Sequence, residues 1–326
     1  MMEQTVARTE TAWGNDGDKD FPRLLENWVR GPTVEERLMA IFAMVGRKIS
    51  SDEAALVWQK LLKHCGADLS PEVFEQLTRQ LIALAPEYKL AEKLYFALMT
   101  SRRRQESSPG IVFMITSCFR YLDKARQVKA ELEGRGGHAC IVVGDPSVPS
   151  SIAVDDVVKL PVPDCYEALT LKVLEGLTWV RQTYGAVSVA KVDDDMRFND
   201  RFNPSELINV ANSLQYAGQL WGGMCDRAWH LGKTMMPTPI YSRRQRGMFA
   251  YGPMYLMGPK AVDHLVRTWV HFPGEVAGRI YEDRAIGELL AEGGIPLNSY
   301  PIAQMGGVVD QTERLISEAT SVKETK

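Results

Sequence analysis

The stretch Ala186-Val187-Ser188-Val189-Ala190-Lys191-Val192-Asp193-Asp194-Asp195 runs from apolar residues straight into three consecutive carboxylates. A short apolar run with polar punctuation predicts a buried strand over 186–192. Adjacent carboxylates repel one another, so at a strand end they mark either an acidic, solvated turn or a site where a cation or a polar ligand offsets that cost. In open parallel sheets ligands bind outside the carboxyl ends of the strands, which is where these aspartates fall. The run therefore predicts a metal-nucleotide site on an α/β sheet.

The neighbouring sequence supplies the rest of that sheet. Ile111-Val112-Phe113-Met114-Ile115 predicts one buried strand, Asp123 to Glu133 a helix, and Ala139-Cys140-Ile141-Val142-Val143 a second strand ending at Gly144-Asp145-Pro146. Val157-Val158-Lys159-Leu160 follows as a third strand and Glu167 to Tyr184 as a long helix. Strand, helix, strand is the signature of a parallel sheet.

Upstream the texture changes. Leu56, Trp58, Leu61 and Leu62, then Val73, Leu77, Leu81, Ile82 and Leu84, recur at helical spacing. Ser50-Ser51-Asp52-Glu53 and Ser70-Pro71-Glu72 read as helix starts, the second with proline at the first helical position. The basic, then polar, then broken segment Ser101 to Gly110 marks a boundary. We expect an all-helical module over 20–104, an α/β domain over 108–312, and flexible tails at 1–19 and 313–326. The helical module serves stability or docks a protein partner.

Composition excludes several classes. The 326 residues are 45% hydrophobic and 24% charged, ordinary values for a folded globular protein. A formal net charge of -3, with only short and separated basic clusters, gives no field for nucleic acid. The five cysteines show no C-x-x-C spacing, which argues against a zinc knuckle and a disulfide framework. Met1 to Asp20 lacks the apolar centre of a signal peptide, and Leu38 to Val45 falls far short of the roughly 20 residues a membrane span needs. The expectation is a soluble, cytoplasmic protein.

Asp164-Cys165-Tyr166-Glu167-Ala168-Leu169-Thr170-Leu171-Lys172, followed by Lys191-Val192-Asp193-Asp194-Asp195, resembles the β-1,3-galactosyltransferase and Fringe-like family of glycosyltransferases. There an Asp-x-Tyr-x-x-Leu-Thr-x-Lys helix precedes a Lys-x-Asp-Asp-Asp strand end. Phe249-Ala250-Tyr251-Gly252-Pro253-Met254-Tyr255-Leu256-Met257-Gly258 is similar to the family's Tyr-Cys-Ser-Gly-Gly-Gly-Tyr-Val-x-Ser. Tyr281-Glu282-Asp283-Arg284-Ala285-Ile286-Gly287 is similar to its Glu-Asp-Val-x-x-Gly. The likeness runs from Ile111 to Pro301 and leaves the helical module outside.

The resemblance implies a GT-A-like domain with a Rossmann-type central sheet. It further implies a metal-dependent, inverting transfer of sugar from a nucleotide donor, a UDP-sugar, to the hydroxyl of a glycan or small-molecule acceptor. Asp195 is then the ligand of Mn2+ or Mg2+, Asp193 and Asp194 hold the nucleotide or its sugar, and Asp283 is the general base. Thr116, Ser117 and Arg120, after the first strand, become candidate contacts to base or ribose, and Arg126 matches a family arginine. Lys172 and Lys191 are candidates to offset phosphate charge, and Tyr255 is placed under the sugar. Trp221, Gly223 and Trp229, in a Gly-rich aromatic segment, suit contact with an acceptor sugar.

The chain departs from the family in two places. The Thr-Trp-Gly that ends the family's first helix is missing, and the late histidine that serves as a second metal ligand is missing too, since His271 is the last histidine. Either Asp310 or Gln304 substitutes, or the cation is held by Asp195, phosphate and water. A phosphotransferase of the haloacid dehalogenase type also sets an Asp-x-Asp after a strand, but expects a hydroxyl residue where Arg197 stands. A degenerate transferase acting as a binding protein is the other alternative, and the presence of Asp195 and Asp283 weighs against it.

Overall fold

The computed structural model of the chain describes residues 49–65, 71–93, 95, 108–148, 150–220, 249–273, 276, 279 and 281–310. Two units cluster separately, Met1–Ser101 with Val270–Phe272 and Arg102–Trp269 with Pro273–Lys326. In the first, α1 (Ser51–Cys65) opens on a reciprocal capping box. The Ser50 N–H donates to Glu53 Oε2 at 2.7 Å and the Glu53 N–H to Ser50 Oγ at 3.2 Å. Proline begins α2 (Pro71–Leu84), where its missing N–H is not needed.

The second unit is built on an eight-stranded mixed sheet in the order β3-β4-β2-β1-β5-β8-β7-β9. At its centre β4 (Val157–Leu160), β2 (His138–Gly144), β1 (Ile111–Thr116) and β5 (Ser188–Asp193) are parallel neighbours. β3 (Ile152–Val154) pairs antiparallel with β4, and β8 (Ala250–Met257) pairs antiparallel with β5. β7 (Tyr216–Leu220) and β9 (Asn298–Ser299) complete the far edge. A second small sheet pairs β6 (Met196–Phe198) with β10 (Gly307–Val309). This mixed α/β arrangement is GT-A-like.

Helices cover both faces, which is why the central strands read as unbroken apolar runs. On one face Ile111, Phe113 and Ile115 of β1 join Ile141 and Val143 of β2 and Ala190 and Val192 of β5. They meet Ala125, Val128 and Leu132 of α3 (Leu122–Gly134) and Leu207 and Ala211 of α5 (Pro204–Leu214). On the other face α4 (Leu169–Tyr184) lies against β1, β2 and β4. Gly176 brings α4 so near that a Cβ there would stand 2.7 Å from Met114 Sδ. After β8 and α6 (Pro259–His271), α7 (Glu282–Glu292) packs against α4 and β8.

The chain runs outward from β1 to β2 and β4, then returns to β5 on the other side of β1. The carboxyl ends of β1 and β5 therefore flank a topological switch point, where ligands bind in folds of this kind. Thr116 and Asp193 are register partners across it. Among the described residues no helix is long and apolar enough to cross a membrane.

Candidate active site

Strand alternation sends Ala190 and Val192 into the α3 core and so turns Lys191 and Asp193 toward the α4 and α7 face. In register with Lys191 stands Tyr255 of β8. Lys191 is completely buried. Its Nζ donates to Asp193 Oδ1 and, at 2.7 Å, to the Gly252 carbonyl, and lies 3.6 Å from Glu282 Oε2. Burial by itself would lower the Lys191 pKa, but Asp193 and Glu282 outweigh it and hold the ammonium above the ordinary lysine range.

Glu282 and Asp283 open α7, where the helix's unpaired N–H groups favour negative charge. Asp283 Oδ1 accepts the Arg284 N–H at 2.8 Å. A Cβ on Gly252 would stand 3.5 Å from Asp283 Oδ2, so β8 and the start of α7 meet here. Burial pushes Asp283 up to about 6, against the Arg284 N–H and Lys191. Burial also pushes Glu282 up to about 7, opposed by Lys191, while its Oε1 accepts the Tyr255 hydroxyl. Tyr255 is itself fully buried, edge-on to Tyr216 at 6.0 Å.

On the β1 side, Asp194 Oδ2 accepts the Ser117 hydroxyl at 2.5 Å. Burial raises the Asp194 carboxyl to about 6 even so. Ser117 is held from behind by Lys172, a buried lysine whose Nζ donates to the Ser117 carbonyl and to Asp164 Oδ1, each at 2.7 Å. Asp164 also accepts the N–H groups of Gly144 at 3.1 Å and Phe119 at 2.8 Å, tying the ends of β1 and β2 together. Arg120 lies exposed on the following 3-10 turn, its guanidinium 5.5 Å from the Tyr121 ring. Arg126 points to the β3–β4 turn, where its Nε and Nη2 meet the two Asp156 oxygens at 2.9 and 3.2 Å.

Residues 149–301 match the galactosyltransferase family model. The chain carries a galactosyltransferase-family domain. It is a glycosyltransferase enzyme by that membership. No curated protein matches the chain at a significant level. The matched part of the galactosyltransferase-family domain holds Lys172, Lys191, the three aspartates, Tyr255 and Asp283. Thr116, Ser117, Arg120 and Arg126 precede it, and Asp310 follows it.

Asp195 leaves β5 in the turn toward β6, and the β6–β10 pairing sets Asp310 opposite it, the Asp310 N–H donating to the Asp195 carbonyl at 2.7 Å. Arg197 Nη2 stands 3.5 Å from Asp310 Oδ2. Among the described residues no group of three or more His, Cys, Asp or Glu converges as a ready metal cage. Carboxylates on neighbouring strand ends do fit the sort of Mg2+ or Mn2+ site that takes one or two of them and completes its shell with phosphate and water. Trp221, Gly223 and Trp229 lie outside the described residues. The sequence by itself assigns no role to Asp164 or Glu282; the available signals are that Asp164 heads the helix pattern ending in Lys172 and that Glu282 adjoins Asp283.

Proposed function

We propose that the galactosyltransferase-family domain moves a sugar from a UDP-sugar to an acceptor hydroxyl with inversion, dependent on Mn2+ or Mg2+. The observation that supports this most is that Lys191 gathers Asp193 and the Gly252 carbonyl on one side, beside the helix start that presents Asp283. In this reading Asp283 accepts the acceptor's proton as its oxygen attacks the anomeric carbon. The bond to the diphosphate breaks in the same step and its electron pair leaves on the phosphate oxygen, so no covalent enzyme intermediate forms.

Asp193 and Asp194 hold the nucleotide sugar, and Thr116, Ser117 and Arg120 face its base or ribose. Thr116 Oγ1 is buried with no hydrogen-bond partner among the described residues, which leaves that hydroxyl for a ligand. Lys172 and Tyr255 serve the donor through Ser117 and Glu282, and Arg126 through its hold on the β3–β4 turn. Trp221, Gly223 and Trp229 remain our candidates for the acceptor. Asp195, with Asp310 beside it, would hold the cation, which when bound would supply positive charge opposite the departing diphosphate. The helical module over 20–104 is a separate domain that docks a protein partner.

The test is a donor screen that measures UDP release from several UDP-sugars, with and without Mn2+, in the wild type and in Asp195→Ala. We expect release from at least one donor that needs the cation and collapses in the variant. Metal-independent turnover, or full activity of Asp195→Ala, overturns the mechanism.

A further inference from the structure

Glu282 precedes the proposed base, yet its carboxylate is buried against β8 and β5, only 4% of the residue being exposed. Its Oε1 accepts the Tyr255 hydroxyl and its Oε2 lies 3.6 Å from Lys191 Nζ. Lys191 in turn holds Asp193 Oδ1 and the Gly252 carbonyl. A neutral acceptor would satisfy the tyrosine hydroxyl at far smaller desolvation cost than a carboxylate. The negative charge has its use at Lys191, whose ammonium would otherwise have, among the described residues, Asp193 as the one carboxylate in direct contact.

We infer that Glu282 is a positioning residue for glycosyl transfer, anchoring Lys191 so that Asp193 and the Gly252 carbonyl are held in fixed relation to Asp283. The kinetic side of this inference rests on the transferase mechanism proposed above; the placement of Lys191 does not. Because a misplacement of about 1 Å at reacting groups costs as much as roughly a hundredfold in rate, a local shift of Lys191 is legible in turnover.

Glu282→Gln is the informative change, since the amide still accepts from Tyr255 but no longer pairs with Lys191. We expect kcat per folded molecule to fall about tenfold or more while the donor KM stays within about threefold. Glu282→Asp, which keeps the charge on a shorter arm, should recover part of the loss. A crystal structure of Glu282→Gln should show Lys191 Nζ displaced from the Gly252 carbonyl. Unchanged kcat, or a fall in thermal stability alone, overturns the inference, as does an unmoved Lys191. If Glu282→Gln does not fold, Glu282→Asp carries the same measurements with smaller expected changes. If the wild type releases no nucleotide from any donor, the transferase mechanism fails, and the position of Lys191 decides the role of Glu282 by itself.

Discussion

Asp283 shows how one carboxylate acquires a working range. Burial raises it to about 6, while the Arg284 N–H and Lys191 keep it from rising further. A general base must be unprotonated to accept a proton, so activity should fall as pH drops through about 7 to 6, where first Glu282 and then Asp283 take up protons. A pH profile of kcat/KM flat between 5 and 8, on the order of the range bracketing such a group, would contradict the assignment. Asp283→Asn should lower kcat by about 10²–10⁴-fold and leave donor binding by calorimetry intact. Lys191 is the counterpart on the strand. Replacing it with Met leaves the buried Glu282 and the half-buried Asp193 without their cation, and denaturant titration should show a loss of about 3–5 kcal/mol. The sequence places Lys191 in an apolar strand, yet lysine in such a run is equally readable as an edge residue reaching solvent. Asp193 on the same strand, together with the partners gathered from β8 and α7, makes a buried ammonium tolerable.

Among the elements, the apolar runs of the first half of the α/β domain were legible, while β7, β8, α5 and α6, long enough to show a period, were not read as elements. The predicted strands at 111–115, 139–143, 157–160 and 186–192 appear as β1, β2, β4 and β5, and the helix predicted over 167–184 as α4. β3, β6, β9 and β10 went unread because segments of 2 to 3 residues carry no periodicity of their own; their pairing partners define them. Helix starts were legible for a different reason: Ser50 and Glu53, or Pro71, act on backbone N–H groups a few residues away. Close approaches were not. A Cβ on Gly144 would meet the Pro163 carbonyl oxygen at 2.5 Å, and backbone has little room to yield. Gly144→Ala should cost about 1–3 kcal/mol in chemical denaturation, and should raise the donor KM by loosening the Asp164 bonds that hold the β1 end.

For the whole molecule, the separate clustering of Arg102–Trp269 with Pro273–Lys326 gives a direct expectation. A fragment of residues 102–326 should unfold in one cooperative thermal transition and retain donor-dependent nucleotide release. A fragment that shows no cooperative transition would mean that the first unit is needed for folding. Sequence by itself determined the strands β1, β2, β4 and β5, the helices α3 and α4 and their apolar faces, because hydrophobic period, capping and local charge are properties of neighbouring residues. The tertiary structure decided which polar groups share a site. Thr116 meets Asp193 through the β1–β5 register, Asp310 meets Asp195 through β10 and β6, and Glu282 meets Lys191 through the packing of α7 on β8. The physical reason is distance: burial and charge pairing act over a few ångströms in space between residues far apart along the chain, so a carboxylate's energy is set by partners that only the fold supplies.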